Sequence, residues 1–133
     1  MSLPGFETLL TKHRSDEAAI HRLEAVIAKT LARAPEARLD EVILAQQANV
    51  ERCQVRDFLV ELVAQHVLRT VLFWTCPVLN GTALERSRVN EFPEVFECDI
   101  CGQEHLFRDG RVELHFLPDD DTKRAAATAV RSV

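Results

Sequence analysis

The sequence predicts an α+β fold in which helices come first and β-hairpins follow. Three observations predict it. Apolar residues recur at helical spacing through the first half, β-branched and aromatic residues gather from residue 70 onward, and turn dipeptides punctuate the second half. The 133 residues suffice for one domain with a modest extension, and the 47% apolar content belongs to a folded chain. No apolar run approaches the roughly 18 residues that cross a bilayer. The start, Met1-Ser2-Leu3-Pro4-Gly5, lacks the pattern of a secretory leader, so a soluble, cytoplasmic protein without a membrane partner is expected.

Phe6, Leu9 and Leu10 make a short amphipathic turn. Ser15 is a suitable N-cap for a first long helix carrying Ile20, Leu23, Ile27 and Leu31 inward, and Pro35 marks its end. Its other face, with His21, Arg22, Glu24 and Lys29, reads as solvent-facing; His13 and His21 need no role beyond solubility. Asp40 caps the next helix, which turns Leu44, Ala45 and Ala48 inward. That helix closes at Asn49, a residue tolerant of left-handed backbone, and Val50 returns to the core. Glu51 to Gln65 form a further helix with Val55, Leu59, Leu62 and Val63 on one face. Cys53 reads as a small core residue of this helix.

After a break at His66–Arg69, Thr70–Trp74 reads as a strand, and Phe73 and Trp74 as packing residues. Asn80-Gly81 is a turn, 85–90 a polar loop, and Val95–Cys98 a resumed strand. Asp109-Gly110, between Leu106-Phe107 and the alternating Val112, Leu114 and Phe116, predicts a hairpin. Residues 118–133 lack a core pattern and are expected to form a loose tail, with at most one helical turn through 125–130. The carboxylates Asp119, Asp120 and Asp121 there read as solvating charge.

Residues 39–69 resemble the helix-turn-helix and first wing strand of bacterial winged-helix proteins. Leu39-Asp40 stands where that family has a leucine and a capping residue. Leu44-Ala45 and Ala48-Asn49-Val50 match its core and turn positions, and Val55, Leu59 and Leu62 the inward face of its recognition helix. The resemblance implies a three-helix winged helix-turn-helix over 1–75, a zinc-ribbon-like extension of the wing over 76–117, and the tail over 118–133. Two residues depart from the pattern: His66 replaces the usual glycine, and Glu51 the usual serine or threonine.

The implied recognition surface is Glu51, Arg52, Gln54, Arg56 and Asp57. Arginine and glutamine can read guanine and adenine edges, but Glu51 and Asp57 would oppose phosphates. Over 51–66 two arginines face three carboxylates, Glu51, Asp57 and Glu61. Over 82–97 Arg86 and Arg88 face Glu85, Glu91, Glu94 and Glu97. With a net charge of -5, neither surface offers the gathered positive charge on which nucleic-acid affinity rests. Arg52 and Arg56 are expected to pair with a carboxylate one turn away instead.

Cys98-Asp99-Ile100-Cys101-Gly102 has the spacing of a zinc knuckle, with a glycine that eases the turn. Cys76-Pro77 begins a second such turn, but Leu79 stands where its second cysteine belongs. A four-ligand Zn2+ site would then draw on Cys76, Cys98, Cys101 and His105, with His115 a weaker candidate for the fourth place. The alternative is a ribbon that keeps its hairpins without metal, Leu79 packing beside the three cysteines. No phosphate loop, nucleophile elbow or hydrolase motif is present. The expectation is a non-enzymatic adaptor that binds a protein partner, similar in architecture to accessory transcription subunits and small adaptors of multi-gene bacterial defence systems. The competing expectations are a DNA-binding regulator, dimeric through its first helix and tail, and a metal- or redox-responsive switch.

Overall fold

The computed structural model describes residues 3–131, with side chains through 128. The fold is mixed α+β. In chain order its elements are α1 (Phe6–Lys12), α2 (Glu17–Arg33), α3 (Glu41–Ala48), α4 (Arg52–Ala64), β1 (Leu68–Thr75), β2 (Thr82–Arg86), β3 (Val95–Glu97), β4 (Glu104–Leu106), β5 (Arg111–Pro118) and α5 (Asp120–Arg131). The chain divides into two compact units, one made of the residues up to Arg69 and those from Phe116 onward, the other of Thr70–His115. The boundaries between these units fall inside β1 and β5.

In the first unit the helical periodicity of the sequence becomes a single core. Ile20, Leu23, Ile27 and Leu31 of α2, Leu44 and Ala48 of α3, and Val55, Phe58, Leu59 and Leu62 of α4 are all buried. Helix α2 begins one residue later than Ser15 suggests, with Asp16 in the cap position after a 3-10 turn at Arg14–Asp16, and ends at Arg33 just before Pro35. Asp40 caps α3 by accepting from the Val42 amide at 2.8 Å, and Asn49 closes it in the left-handed region at φ 54°. His66 adopts φ 62°, so it takes the left-handed turn that glycine makes at lower cost. Leu39 forms an isolated antiparallel bridge with Phe116, its amide and carbonyl bonded to those of Phe116 at 2.8 and 2.9 Å.

Three expectations fail in this unit. Cys53 is exposed, not core: it lies off the stripe that turns Val55, Phe58, Leu59 and Leu62 inward. His13 is more than a solubilising residue. Its Nε2 sits 2.9 Å from Glu61 on α4 and its ring meets the Phe58 ring edge-on, while Lys12 reaches Glu61 at 3.2 Å. The segment after Pro118 is the helix α5, not a loose tail. Asp119 caps it by accepting from the Thr122 amide at 2.8 Å, and Thr122 and Ala126 are buried. Lys123 joins Glu36 at 3.0 Å, and Asp121 pairs with Arg124. Its inward residues among those described, Thr122 and Ala126, are small and the helix is polar overall, so no large apolar side chain there marks the buried face in the sequence.

The second unit is β-rich. The sheet order is β2-β1-β5, and β1 pairs antiparallel with β2, Phe73 opposite Glu85 and Trp74 opposite Leu84. The stretch expected as a polar loop is thus partly strand β2, followed by a 3-10 turn at Val89–Glu91. Strands β3 and β4 form a separate two-stranded antiparallel sheet, with Phe96 opposite His105. The hairpin expected across Asp109-Gly110 does not form, because β4 pairs with β3 and β5 joins β1. A 3-10 turn at Phe107–Asp109 intervenes, with the Asp109 carboxylate accepting from the Leu106 amide at 3.0 Å.

Trp74 is the centre of this unit's own core, with Cys76, Phe92 and Cys98 buried beside it and Phe96 and Phe107 packed around them. The indole Nε1 donates to the Phe107 carbonyl at 2.7 Å, and the ring meets Phe96 edge-on at 4.7 Å. Leu114 is half exposed, against the predicted alternation, whereas His115 and Phe116 are both buried. Among the described residues, no helix is long and apolar enough to cross a membrane.

Candidate metal centre

Two turns in Thr70–His115 repeat one backbone pattern. In the first, the Asn80 amide donates to the Cys76 carbonyl at 2.9 Å and the Cys76 amide donates to the Gly81 carbonyl at 2.9 Å. In the second, Gly102 donates to Cys98 at 2.8 Å and Cys98 donates to Gln103 at 2.8 Å. The left-handed residue sits at the same place in both, Asn80 at φ 58° and Gly102 at φ 76°. The two turns therefore share one geometry, and Leu79 of the first stands where Cys101 stands in the second. The turns meet at Gly81 and Ile100, whose side chain comes within 3.2 Å of where a Cβ on Gly81 would lie.

The two turns and strand β4 bring Cys76, Cys98, Cys101 and His105 together, with all four donor atoms within 4.8 Å of one another. His105 Nε2 lies 3.1 Å from the Cys101 sulfur and 3.9 Å from that of Cys76. Bond lengths of about 2.3 Å to sulfur and 2.0–2.1 Å to nitrogen in a tetrahedral zinc site put its ligands roughly 3.5–3.8 Å apart. Cys76, Cys98 and His105 are buried and Cys101 is partly exposed, so the cluster is closed on most sides. The donors fit a divalent ion of zinc's softness: three thiolates and one imidazole.

The protonation chemistry agrees with that donor set. Burial by itself would raise the Cys76 thiol. The backbone N–H groups of Leu79 and Val78, with the neighbouring Cys101 and Cys98, more than offset burial and bring it down to about 7. Cys101 goes the other way. The Gln103 N–H favours its thiolate, but burial and the adjacent Cys76 and Cys98 raise it. Packed thiols resist ionising together, and a bound cation removes that conflict.

Leu79 is 60% exposed and so turns largely outward from the three cysteines. His115 lies outside the cluster. Its ring meets Phe73 edge-on at 5.3 Å, Nε2 is 3.2 Å from Glu113, and Nδ1 is buried without a hydrogen bond.

The helix-turn surface is built differently from its sequence-based expectation. Arg52 and Arg56 do pair with a carboxylate, but it belongs to α3 rather than to their own helix. Glu41 accepts from Arg56 Nε and Nη2, both at 2.8 Å, and from Arg52 Nη2 at 2.9 Å. Glu41 went unread because its partners lie 11 and 15 residues away on another helix. Gln54 donates to Asp16 at 3.2 Å, and Glu51 and Asp57 are exposed.

The Arg56 hydrogen bond, against the cost of burial and with help from Arg52, holds Glu41 down at about 2. A carboxylate depressed in the fold contributes stability that is whole above its ordinary value of 4.5 and is lost as pH falls toward 2. Both arginine side chains are more than half exposed, so the network is worth about 1 kcal/mol. Glu41→Gln is expected to cost about that much at neutral pH and to flatten the loss of stability between pH 4.5 and 2. Urea titrations across that range check it.

Comparison with family models, curated proteins and solved structures returns no significant match.

Proposed function

We propose that the chain is a non-enzymatic interaction module: a winged helix whose wing is extended by a zinc-braced ribbon, and whose partner is a protein. The winged-helix reading draws support from the order α2, Leu39, α3, α4, β1, β5, in which Leu39 bridges to Phe116 as a minimal strand between the first two main helices. The Cys76, Cys98, Cys101 and His105 cluster supports zinc as a structural ion, since all four ligand places are filled by protein and none is left for a substrate.

The observation that carries the choice of partner is Glu41. A helix that reads DNA needs its leading side chains free for base edges and phosphates. Here the two arginines of that region are drawn onto one carboxylate, with Glu51 and Asp57 exposed beside them. An anionic duplex gains little here, because Glu41, Glu51 and Asp57 together outweigh the two arginines, and the net charge of -5 opposes its approach.

Fluorescence anisotropy with random-sequence duplex DNA at low salt tests this reading. The native chain is expected not to bind at micromolar concentration. Glu41→Gln, which releases Arg52 and Arg56, is expected to bind more than the native chain does. Micromolar binding by the native chain that disappears as salt rises would replace the proposal with a DNA-reading regulator.

A further inference from the structure

Helix α2 carries a cationic stripe along one face. Positions 22, 26, 29 and 33 follow one another along one face at helical spacing. They are Arg22, Val26, Lys29 and Arg33, with no carboxylate among them. Arg22 is committed to the end of α3, donating to the carbonyls of Ala48 at 2.9 Å and Asn49 at 3.3 Å. Lys29 and Arg33 are exposed, and neither makes an ion pair or side-chain hydrogen bond among the described residues.

The stripe borders a concave site. Val26, Lys29, Thr30, Arg33 and Ala34 of α2 and its end, with Gln47 of α3, line a cleft of about 430 Å³. The helix dipole accounts for Arg33, which sits in the last turn of α2 near its unpaired carbonyls. It does not account for Lys29, one turn earlier. Nor does average composition, since the chain carries 21 acidic residues against 16 basic ones. Two unpaired cations at a cleft whose apolar members are Val26 and Ala34 are suited to a carboxylate on an aliphatic stem.

We propose that this α2–α3 cleft docks an acidic peptide segment of the protein partner, its carboxylate seated between Lys29 and Arg33 and its stem on Val26 and Ala34. The inference rests on the protein-partner reading. A single cleft of this size takes one or two side chains, whereas a duplex needs a long positive track to displace its counterions. Charge complementarity of this kind sets specificity and speeds encounter.

The probe is a short fluorescent peptide of alternating glutamate and alanine, titrated against the full chain at low salt, with a lysine–alanine peptide as control. The acidic peptide alone is expected to bind. The double variant Lys29→Ala with Arg33→Ala should weaken it about tenfold or more, with unchanged zinc content and melting temperature. The exchange Lys29→Arg with Arg33→Lys should retain it. Equal binding by the alanine variant, or no binding by the native chain, would overturn the cleft. So would a loss of duplex affinity, in place of peptide affinity, in that variant. The absence of peptide binding together with the absence of DNA binding would leave the protein-partner reading standing and move its surface elsewhere.

Discussion

Substituting Cys98 by serine, or withdrawing the metal with a strong chelator, is expected to unfold Thr70–His115 while the helices of the first unit keep most of their far-UV signal. Cys98 belongs both to the Cys76, Cys98, Cys101 and His105 cluster and to the small core around Trp74, so its loss leaves a buried hydroxyl among apolar rings and two orphaned thiols. That core is small: Trp74, Cys76, Phe92 and Cys98 are its buried members, and two of the four belong to the candidate metal cluster. Zinc contributes on the order of 10 kcal/mol in small domains that depend on it. Trp74 is the only tryptophan in the chain and is fully buried, so its emission reports this event directly. A pronounced red shift on chelation, reversed by added zinc, is the expected result. Unchanged emission in the chelated protein would mean the ribbon holds together without the ion.

Gly110→Ala is expected to be the most damaging single methyl in the protein. A Cβ at Gly110 would lie 2.2 Å from Trp74 Cε2 and 2.6 Å from its Nε1. The ring cannot yield cheaply. It is fully buried, its Nε1 is bonded to Phe107, and Phe96 and His105 pack against it with ring centroids at 4.7 and 5.8 Å. Overpacking of a rigid core costs about 1–3 kcal/mol, and a clash with an unyielding indole belongs at the upper end, about 3 kcal/mol. Because the displaced ring packs against His105, the variant should also bind zinc more weakly. Paired denaturant and zinc titrations measure both effects. A variant within about 0.5 kcal/mol of the native chain would show that the Trp74 cavity is more accommodating than its geometry indicates.

What could be read from the residues alone was what depends on local pattern. The stripes of α2, α3 and α4, the cap at Asp40 and the left-handed Asn49 follow from spacing and from the chemistry of single residues. That Cys76, Cys98, Cys101 and His105 come together was legible for the same reason: Cys98-x-x-Cys101 forms one tight turn, and His105 lies within reach of it along the chain. The failures are of another kind. Asp109-Gly110 carries a hairpin signal, but β1 and β3 compete for the strands on either side, and that competition is not local. Helix α5 buries only small residues among those described, Thr122 and Ala126, in an otherwise polar segment, so its inward face carries no large apolar marker there. Glu41 owes its importance to arginines brought to it by the turn between α3 and α4, and Leu79 turns outward even though its apolar character predicts packing.

X-ray absorption at the zinc edge, on the purified full chain with its metal content measured on the same sample, tests the zinc-braced ribbon most directly. One zinc per chain is predicted, with three sulfur neighbours at about 2.3 Å and one nitrogen at about 2.0 Å, and with the nitrogen shell lost in His105→Ala. A chain that takes up no zinc, or one whose bound zinc is surrounded only by nitrogen and oxygen, would contradict the account.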